Sequence, residues 1–400
     1  MLTLAVALVA PATAHAAVKN IAPAAGIGMT AQSWDVAVAD YNADGYPDFL
    51  YSPQNGSARQ LWRANGDGTY AMSHSLAGTV TTDQHGCAWA DVNLDGALDV
   101  YCTLGAIGGN RSKHNSLWLQ GPGDTFTDAG QWAGVDDPIG RGRNATFLDA
   151  NGDSYPDLYV TNYAAPRTDG LPAPNRLYTN LGADPVTGQW LGYQPAPEMG
   201  LDQNQGERGC TYAAQFPGDA QDDIVFCASN SIHLYSHTDA GYIETTLQQL
   251  GGNGKWGAAG TELADITGDG IRDLVYVRLS QFGVRAGRAG GTFAPPTMIR
   301  ALTAGRDIAV ADVDGNGTQD VYVLQGNGQP GCTTCATNHP DMLLMNTAGK
   351  LAPTAIPQTK LGSGDQAVAI DTDLDGRSEV MVTNGANLKK GPVMLLRWTA

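Results

Sequence analysis

The stretch DYNADGYPD, residues 40–48, lies between two short apolar runs, WDVAVA before it and FLYS after it. Aspartate or asparagine occupies its first, third, fifth and ninth positions, and glycine occupies the sixth. The pattern returns six more times, with starts 47 to 66 residues apart. A period of this length suits one four-stranded unit, so the repeat predicts one quasi-symmetric body rather than several unrelated domains.

The spacing of acidic residues in this motif is that of a calcium loop. Ca²⁺ takes six to eight oxygen ligands, and flexible carboxylates at alternate positions can converge on one point. Position seven would offer its backbone carbonyl, and a glycine at position six permits a left-handed turn. An ordinary Asp/Gly hairpin turn would explain any single loop, but not six complete copies in phase, each followed by a strand.

The predicted ligands belong to six complete loops and lead to an expectation of about six structural calcium ions. They are Asp40, Asn42, Asp44, Tyr46 and Asp48; Asp91, Asn93, Asp95, Ala97 and Asp99; Asp149, Asn151, Asp153, Tyr155 and Asp157; Asp265, Thr267, Asp269, Ile271 and Asp273; Asp312, Asp314, Asn316, Thr318 and Asp320; and Asp371, Asp373, Asp375, Arg377 and Glu379.

Two loops depart from the pattern. The fourth copy has Gln215 and Pro217 in place of the first two ligands, so it is predicted to bind no calcium. The third copy has Ser154 where the other five complete copies have glycine. A serine forced into the left-handed conformation should cost about 1 kcal/mol.

The apolar runs around each loop predict an all-β fold. Strand A enters the loop, strand B leaves it, and two further runs, C and D, complete the unit; all are short and separated by turn residues. Seven such units predict a seven-bladed β-propeller of four-stranded blades. The last unit ends at its strand C, so residues 20–28 (NIAPAAGIG) are predicted to supply its fourth strand and close the ring.

The loops and the phrases NRLYTNLG and DTFTDAGQWAGV resemble the FG-GAP/VCBS repeats of integrin α-subunit propellers and of cartilage-acidic-protein-like secreted proteins. The resemblance covers about residues 20–400 and implies a seven-bladed calcium-binding propeller. The family it points to spans adhesion receptors, lectins and lyases.

Residues 1–16 (MLTLAVALVAPATAHA) read as a signal peptide, because an apolar core precedes a small-residue site at residues 14–16. An apolar first strand is the alternative. No later apolar run approaches the roughly 18 residues of a membrane span. The mature propeller, residues 17–400, is therefore expected to be secreted or periplasmic.

The formal net charge is −17, and 19 of the 40 acidic residues lie in the six complete loops. The acidity thus reflects the density of predicted metal ligands rather than disorder. A chain with this charge is not expected to bind nucleic acid.

Two cysteine pairs share one register relation across the A–B hairpin, which predicts the disulfides Cys87–Cys102 and Cys210–Cys227, on opposite sides of their sheets. The pair Cys332 and Cys335 lies in a B–C loop. A small loop disulfide is favoured there, with buried thiols or a metal role as alternatives.

A ligand site is predicted on the face opposite the calcium loops, where long connections and basic residues collect. The candidate ligand-binding residues are Trp34, His85, Arg141, Arg143, Arg208 and Arg306. Guanidinium groups favour a carboxylate, sulfate or phosphate, and the aromatic residues could stack on sugar rings. The alternative is that the cations pair with carboxylates of the same loops, such as Asp136 and Asp365.

The sequence therefore predicts a secreted binding or adhesion module for a glycan or extracellular protein, with an anionic ligand as one candidate. The alternative is a carbohydrate-active enzyme, a polysaccharide lyase or dehydratase, in which His85, His114 or His339 abstracts a proton beside a sugar carboxylate. No GxSxG or HExxH motif occurs, and no catalytic residue is assigned.

Overall fold

A computed structural model describes residues 17–54, 56–77, 83–105, 114–163, 173–202, 210–216, 221–228, 231–252, 254, 258–326, 339–356, 364–384 and 391–399. Across these residues the chain forms seven four-stranded antiparallel sheets. The inner strand of each sheet contacts that of the next, and the seventh contacts the first. The predicted all-β, seven-bladed propeller is therefore confirmed.

The blades are numbered in chain order, and their strands A to D run from the axis outward. Strands A are Ser33–Ala39, Gln84–Ala90, Gly142–Leu148, Thr211–Ala214, Gly260–Ala264, Gly305–Ala311 and Gly364–Ile370. Strands B are Asp48–Pro53, Asp99–Leu104, Asp157–Asn162, Asp223–Ala228, Asp273–Arg278, Asp320–Gln325 and Glu379–Asn384. Strands C are Arg59–Ala64, Ser116–Gly121, Arg176–Asn180, Ser231–Thr238, Gln281–Arg285, Asp341–Thr347 and Met394–Thr399. Strands D are Tyr70–Leu76, Thr125–Asp128, Tyr193–Pro195, Gly241–Glu244, Thr297–Ala301, Lys350–Ile356 and, for blade 7, Ala17–Asn20.

Small elements lie between the blades. Two two-stranded antiparallel sheets are also present: Thr30–Ala31 pairs with Gly391–Pro392, and Gly287–Arg288 forms a hairpin with Thr292–Phe293. The helical segments of the described chain are the 3₁₀ turn Pro197–Met199 and the α-helix Thr246–Leu250. Both are far shorter than the roughly 20 residues that a helix needs to span a bilayer.

The N-terminal strand closes the ring, as predicted, but it lies earlier in the chain than residues 20–28. Ala17–Asn20 pairs antiparallel with Met394–Thr399, with Ala17 opposite Thr399 and Asn20 opposite Leu396. Residues 21–28 turn away after one further ladder bond, from Ile21 N–H to the carbonyl of Leu395. Pro23 has no N–H to donate, and Gly26 adopts φ +79°, so this segment cannot continue the strand.

The core lies between neighbouring blades. Strand B is buried along its whole length in blades 1, 2, 3, 6 and 7 because a blade covers each of its faces. Between blades 2 and 3, for example, Tyr101 and Leu117 pack against Val160 and Tyr178. This sandwiching explains why the strand B sequences are nearly continuous apolar runs.

Both predicted hairpin disulfides are present, Cys87–Cys102 and Cys210–Cys227. Cys87 and Cys102 are directly opposite in the register of blade 2 and pack with core residues of blade 1. The other pair packs with core residues of blade 5, so the two bridges lie on opposite sides of their sheets, as the register predicted. Cys332 and Cys335 lie outside the described residues.

Because neighbouring strands of a blade run in opposite directions, the connections between strands lie alternately on two faces of the propeller. The A–B and C–D turns lie on one, here named the motif face, and the D–A and B–C connections lie on the other, here named the opposite face. The predicted metal ligands belong to the motif face.

Candidate functional site

The six complete motif loops share one hydrogen-bonded geometry. In each loop the position-one carboxylate accepts the backbone N–H groups of positions five and six, as Asp40 does from Asp44 at 3.0 Å and from Gly45 at 2.7 Å. Equivalent pairs occur in the other five. The position-five side chain accepts the N–H of position seven in all six. The loop backbone therefore holds these side chains pointing inward.

Each complete loop contains two left-handed residues, one of which the sequence analysis missed. Ser154 adopts φ +70° at position six, as expected for a residue in the glycine position. Position four is also left-handed, and in three loops it is not glycine: Ala43 at +54°, Leu94 at +57° and Leu374 at +58°. These loops store backbone strain, which is typical of sites whose geometry serves a ligand.

The position-nine carboxylate joins the loop to strand C. Asp99 is fully buried; one oxygen accepts the N–H of Val92 at position two (3.1 Å) and the other that of Gln120 in strand C (2.8 Å). Blades 3, 4 and 6 repeat both bonds. In blade 5 the second donor is Gly287, just beyond strand C. Burial, together with the nearby Asp95 and Asp91 carboxylates, raises the pKa of Asp99 to about 7. The position-nine carboxylate is therefore a structural staple, meaning a hydrogen-bonded link between the loop and strand C, as well as a predicted ligand.

The degenerate fourth loop keeps this staple. Asp223 is fully buried and accepts the N–H groups of Phe216 (2.9 Å) and His237 (2.9 Å). Gln215 occupies position one, and residues 217–220 lie outside the described part of the chain. Blade 4 thus separates the structural role of position nine from the predicted metal role of positions one and three.

The complete loops fit a hard divalent cation. In blade 6 a carboxylate oxygen from each of Asp312, Asp314 and Asp320 lies within 4.8 Å of the others. In blade 7 the same holds for Asp371, Asp373 and Asp375. Each carboxylate oxygen has two lone pairs, so one backbone N–H leaves capacity for a cation. Convergent carboxylates repel one another, and Ca²⁺ favours such hard oxygen donors.

Polar side chains of strand C also form hydrogen bonds with the motif loops of neighbouring blades. Asn180 of blade 3 donates to the carbonyl of Val92 in the blade 2 loop at 2.8 Å, and Asn346 of blade 6 donates to Ile266 in the blade 5 loop at 2.9 Å. His237 contacts the equivalent carbonyl, Ala150, at 3.1 Å. Asn180, the second asparagine of the NRLYTN stretch, thus forms a contact between blades.

On the opposite face, the predicted ligand residues Trp34, His85 and Arg306 of blades 1, 2 and 6 form a connected cluster with Asp365 of blade 7. The rings of Trp34 and His85 are 5.1 Å apart, and His85 contacts Asp83 at 3.2 Å. The guanidinium of Arg306 lies 6.0 Å from the Trp34 ring centre and pairs with Asp365. Arg306 therefore follows the alternative interpretation, in which a cation pairs with a loop carboxylate.

The second part of the cluster belongs to blade 3. Arg141 and Arg143 lie over the Tyr163 ring, with centroid distances of 4.9 and 5.0 Å. Arg143 is largely buried and donates to the carbonyl of Gly142 at 2.8 Å. A Cβ at Gly105 would lie 2.5 Å from Asp83 and 2.6 Å from Arg143, so these groups meet at Gly105. Asp83 consequently connects the His85 and Arg143 parts, and Arg208 lies outside the described residues.

Hydrogen bonds between the A strands of neighbouring blades were not predicted from the sequence. Asp35 accepts the N–H of Cys87 at 2.9 Å, and Asp307 accepts that of Ala367 at 3.0 Å. Each bond joins strand A of one blade to strand A of the next. Burial raises the pKa of Asp35 and of Asp307 to about 7. Glu262, which accepts the N–H of Val310, has its pKa raised by burial to about 8.

Comparisons with known proteins agree with this architecture. The profile described as FG-GAP-like repeat matches residues 40–102 and 265–323, and a comparison with curated proteins finds no match. Among solved structures, an Agrocybe aegerita lectin that recognises non-reducing terminal N-acetylglucosamine has a TM-score of 0.52 at 15% identity, covering 82% of this chain and 80% of the lectin chain. At this identity the likeness shows the fold alone.

Two further structures are less similar. BBS1N, solved in complex with ARL6DN, has a TM-score of 0.48 at 12% identity, covering 94% of both chains. The extracellular domain of the one component system BT4673 from B. thetaiotaomicron has a TM-score of 0.46 at 9% identity, covering 93% of this chain and 40% of that chain. Fold, loop geometry and the matched profile lead to one conclusion: the protein is a seven-bladed β-propeller that carries FG-GAP-like repeats.

Proposed function

We propose that this propeller is a secreted calcium-binding module that binds an acidic glycan through its opposite face. The observation that carries the proposal is the connected cluster in which Arg141 and Arg143 lie over Tyr163, with Trp34 and His85 beside them. A guanidinium stacked on an aromatic ring is held in one plane, and a planar guanidinium suits bidentate recognition of a carboxylate. Aromatic faces provide the apolar surface on which a sugar ring stacks.

Calcium has a structural role in this proposal. Each complete loop fixes the connection between strands A and B, and its position-nine residue also holds strand C. A cation bound there would link three elements of the blade and stabilise the scaffold that positions the opposite face. The weak affinity typical of extracellular calcium loops suits the millimolar calcium outside cells.

Secretion is supported by the two disulfides, since such bonds persist in oxidising compartments. The signal peptide predicted for residues 1–16 lies outside the described residues. The lectin similar in fold recognises a sugar, which makes a glycan a reasonable first ligand class to test.

A glycan array with acidic and neutral sugars tests the proposal. The wild type should be retained by uronic acid or sulfated glycans, and retention should weaken as salt rises. The double variant Arg141→Gln, Arg143→Gln should bind at least about tenfold more weakly, because it loses charge-assisted hydrogen bonds. Arg306 is a poorer choice for substitution because its change would break the pair with Asp365.

The matched control is Arg300→Gln, an exposed arginine on strand D of blade 5. It should bind as the wild type does. Unchanged binding by a folded double variant, or wild-type retention by neutral glycans alone, would contradict the site. An unsaturated sugar product, seen as new ultraviolet absorbance, would instead support the enzyme alternative.

A further inference from the structure

In blade 7 a basic side chain of strand C reaches two predicted calcium ligands of the seventh motif loop. Arg397, in strand C of blade 7, donates from Nε to Glu379 at 2.6 Å. Its Nη2 contacts Asp373 at 2.8 Å and Thr372 at 3.2 Å. Asp373 and Glu379 are positions three and nine of the loop, so one guanidinium bridges two predicted calcium ligands.

The position-nine residue explains how this contact arises. In blades 1 to 6 position nine is aspartate, and one of its oxygens accepts a backbone N–H of strand C, as Asp48 does from Ala64 at 2.7 Å, or in blade 5 that of Gly287 just beyond strand C. Glu379 is longer by one methylene, and the corresponding oxygen accepts from the Arg397 side chain instead. Its other oxygen accepts from both the N–H and the hydroxyl of Thr372.

The carboxylates of blades 6 and 7 converge in different sets. In blade 6 the group of converging oxygens includes position nine, Asp320, together with Asp312 and Asp314. In the described part of blade 7 the converging group consists of positions one, three and five, without Glu379. Glu379 is therefore directed toward Arg397 rather than toward the other loop carboxylates.

The guanidinium and a metal ion would compete for the same oxygens. An arginine side chain is always charged and presents a planar fork of donors that matches carboxylates. A divalent cation bound to Asp373 and Glu379 would lie within a few ångströms of this positive charge, where repulsion is strong. Calcium binding with the full set of ligands therefore requires Arg397 to leave.

The structure has room for that movement. A cavity of about 260 Å³ adjoins Arg397 and is lined on its other sides by residues including Val313, Arg377, Ser378 and Trp398. The Arg397 side chain is 31% exposed, so it is not locked by packing. The guanidinium can thus exchange its carboxylate partners for solvent without disturbing the core.

We propose that Arg397 is a built-in counter-ion of the seventh loop, which makes this loop the weakest calcium site of the six and couples calcium binding there to release of Arg397. The inference rests on the proposed function, in which the complete loops bind calcium. Blade 7 is the blade closed by the N-terminal strand. At low calcium the Arg397 bonds hold strands B and C of the closing blade together, and at high calcium the metal takes over the loop.

Calcium binding measured at graded free calcium tests this proposal in the intact protein. The wild type should show five tight sites and one site at least about tenfold weaker, the difference expected from breaking charge-assisted hydrogen bonds. Asp371→Asn should remove the weak step and leave the five tight sites. Arg397→Met, which keeps an apolar stem and removes the charge, should convert the weak site into a sixth tight one.

Arg63→Met is the matched control. Arg63 occupies the equivalent position in strand C of blade 1, with a side chain that is 45% exposed, and contacts the Asp44 carboxylate at 3.2 Å. Its removal should leave five tight sites and one weak site. Should Arg397→Met fail to fold, Glu379→Asp serves instead, because the shorter side chain restores the pattern of the other blades and should also strengthen the weak site.

Six equal sites in the wild type, or a folded Arg397→Met that keeps the weak step, would overturn the role of Arg397 and leave the proposed calcium function standing. Absence of calcium binding in every loop would overturn both.

Discussion

Replacement of Asp223 by alanine should destabilise the propeller strongly although the fourth loop is not expected to bind calcium. Asp223 is fully buried, and its two oxygens accept the N–H groups of Phe216 and His237, both at 2.9 Å. Its removal would leave two buried donors without their partner. Each unsatisfied buried group costs about 1–3 kcal/mol, so a loss of about 3 kcal/mol in the free energy of unfolding is expected after partial hydration.

The assay is chemical denaturation in saturating calcium, with calcium content measured in parallel. Asp239→Ala, an exposed residue in a turn of the same blade, should change the free energy of unfolding by under about 0.5 kcal/mol. Asp99→Ala in blade 2 removes the same kind of staple together with a predicted ligand. It should lose a further contribution of about 2.7 kcal/mol when calcium is present at about 100 times its dissociation constant.

Comparing the two variants separates the structural role of the position-nine carboxylate from its role as a predicted calcium ligand. Asp223→Ala should keep the calcium content of the wild type, whereas Asp99→Ala should lose one ion. A loss of less than about 1 kcal/mol on Asp223→Ala would refute the staple argument. Loss of an ion from that variant would show that the fourth loop is a calcium site after all.

Chelation of calcium should lower the melting temperature markedly, because each site filled at about 100 times its dissociation constant contributes about 2.7 kcal/mol; an unchanged melting temperature would count against structural calcium. Burial raises the pKa of Asp35 and Asp307 to about 7 and that of Glu262 to about 8, so the folded chain retains protons that the unfolded chain loses above about pH 4. These groups should therefore lower the free energy of unfolding as pH rises from about 4 to 8, and Asp307→Asn should flatten that slope in denaturation curves; an equal slope in the variant would be inconsistent with this origin. Ser154→Gly should raise the free energy of unfolding by up to about 1 kcal/mol by relieving its left-handed strain, and a destabilised variant would argue that the serine is not strained. N-terminal sequencing of the secreted protein should begin at Ala17, and a retained residue 1–16 segment would favour the alternative of an apolar first strand.

Much of the fold could be predicted because the motif fixes a strand register. The acidic positions mark where strand A ends and strand B begins, and the same register places Cys87 opposite Cys102. The closing strand was predicted in the right role but too late in the chain. Apolar residues such as Ile21 and Ile27 suggested a strand, whereas Pro23 and the left-handed Gly26 end it before it can form.

The candidate sites were only partly readable from the sequence. The Arg306–Asp365 pair joins two residues at the same offset in consecutive blades, so register arithmetic between blades could have found it. The left-handed conformation of position four could not be predicted from the sequence, because alanine and leucine occur there as well as glycine. The contact of Arg397 with Glu379 depends on side-chain length and direction, which no motif records.

The most direct test of the central claim is to locate calcium in crystals by its anomalous scattering. The account predicts a peak inside the loops of blades 1, 2, 3, 5 and 6, a further peak in blade 7 at high calcium, and none beside Asp223 in blade 4. Crystals grown in calcium that show no peak within the loops, or that show an ion coordinated by Asp223, would contradict it.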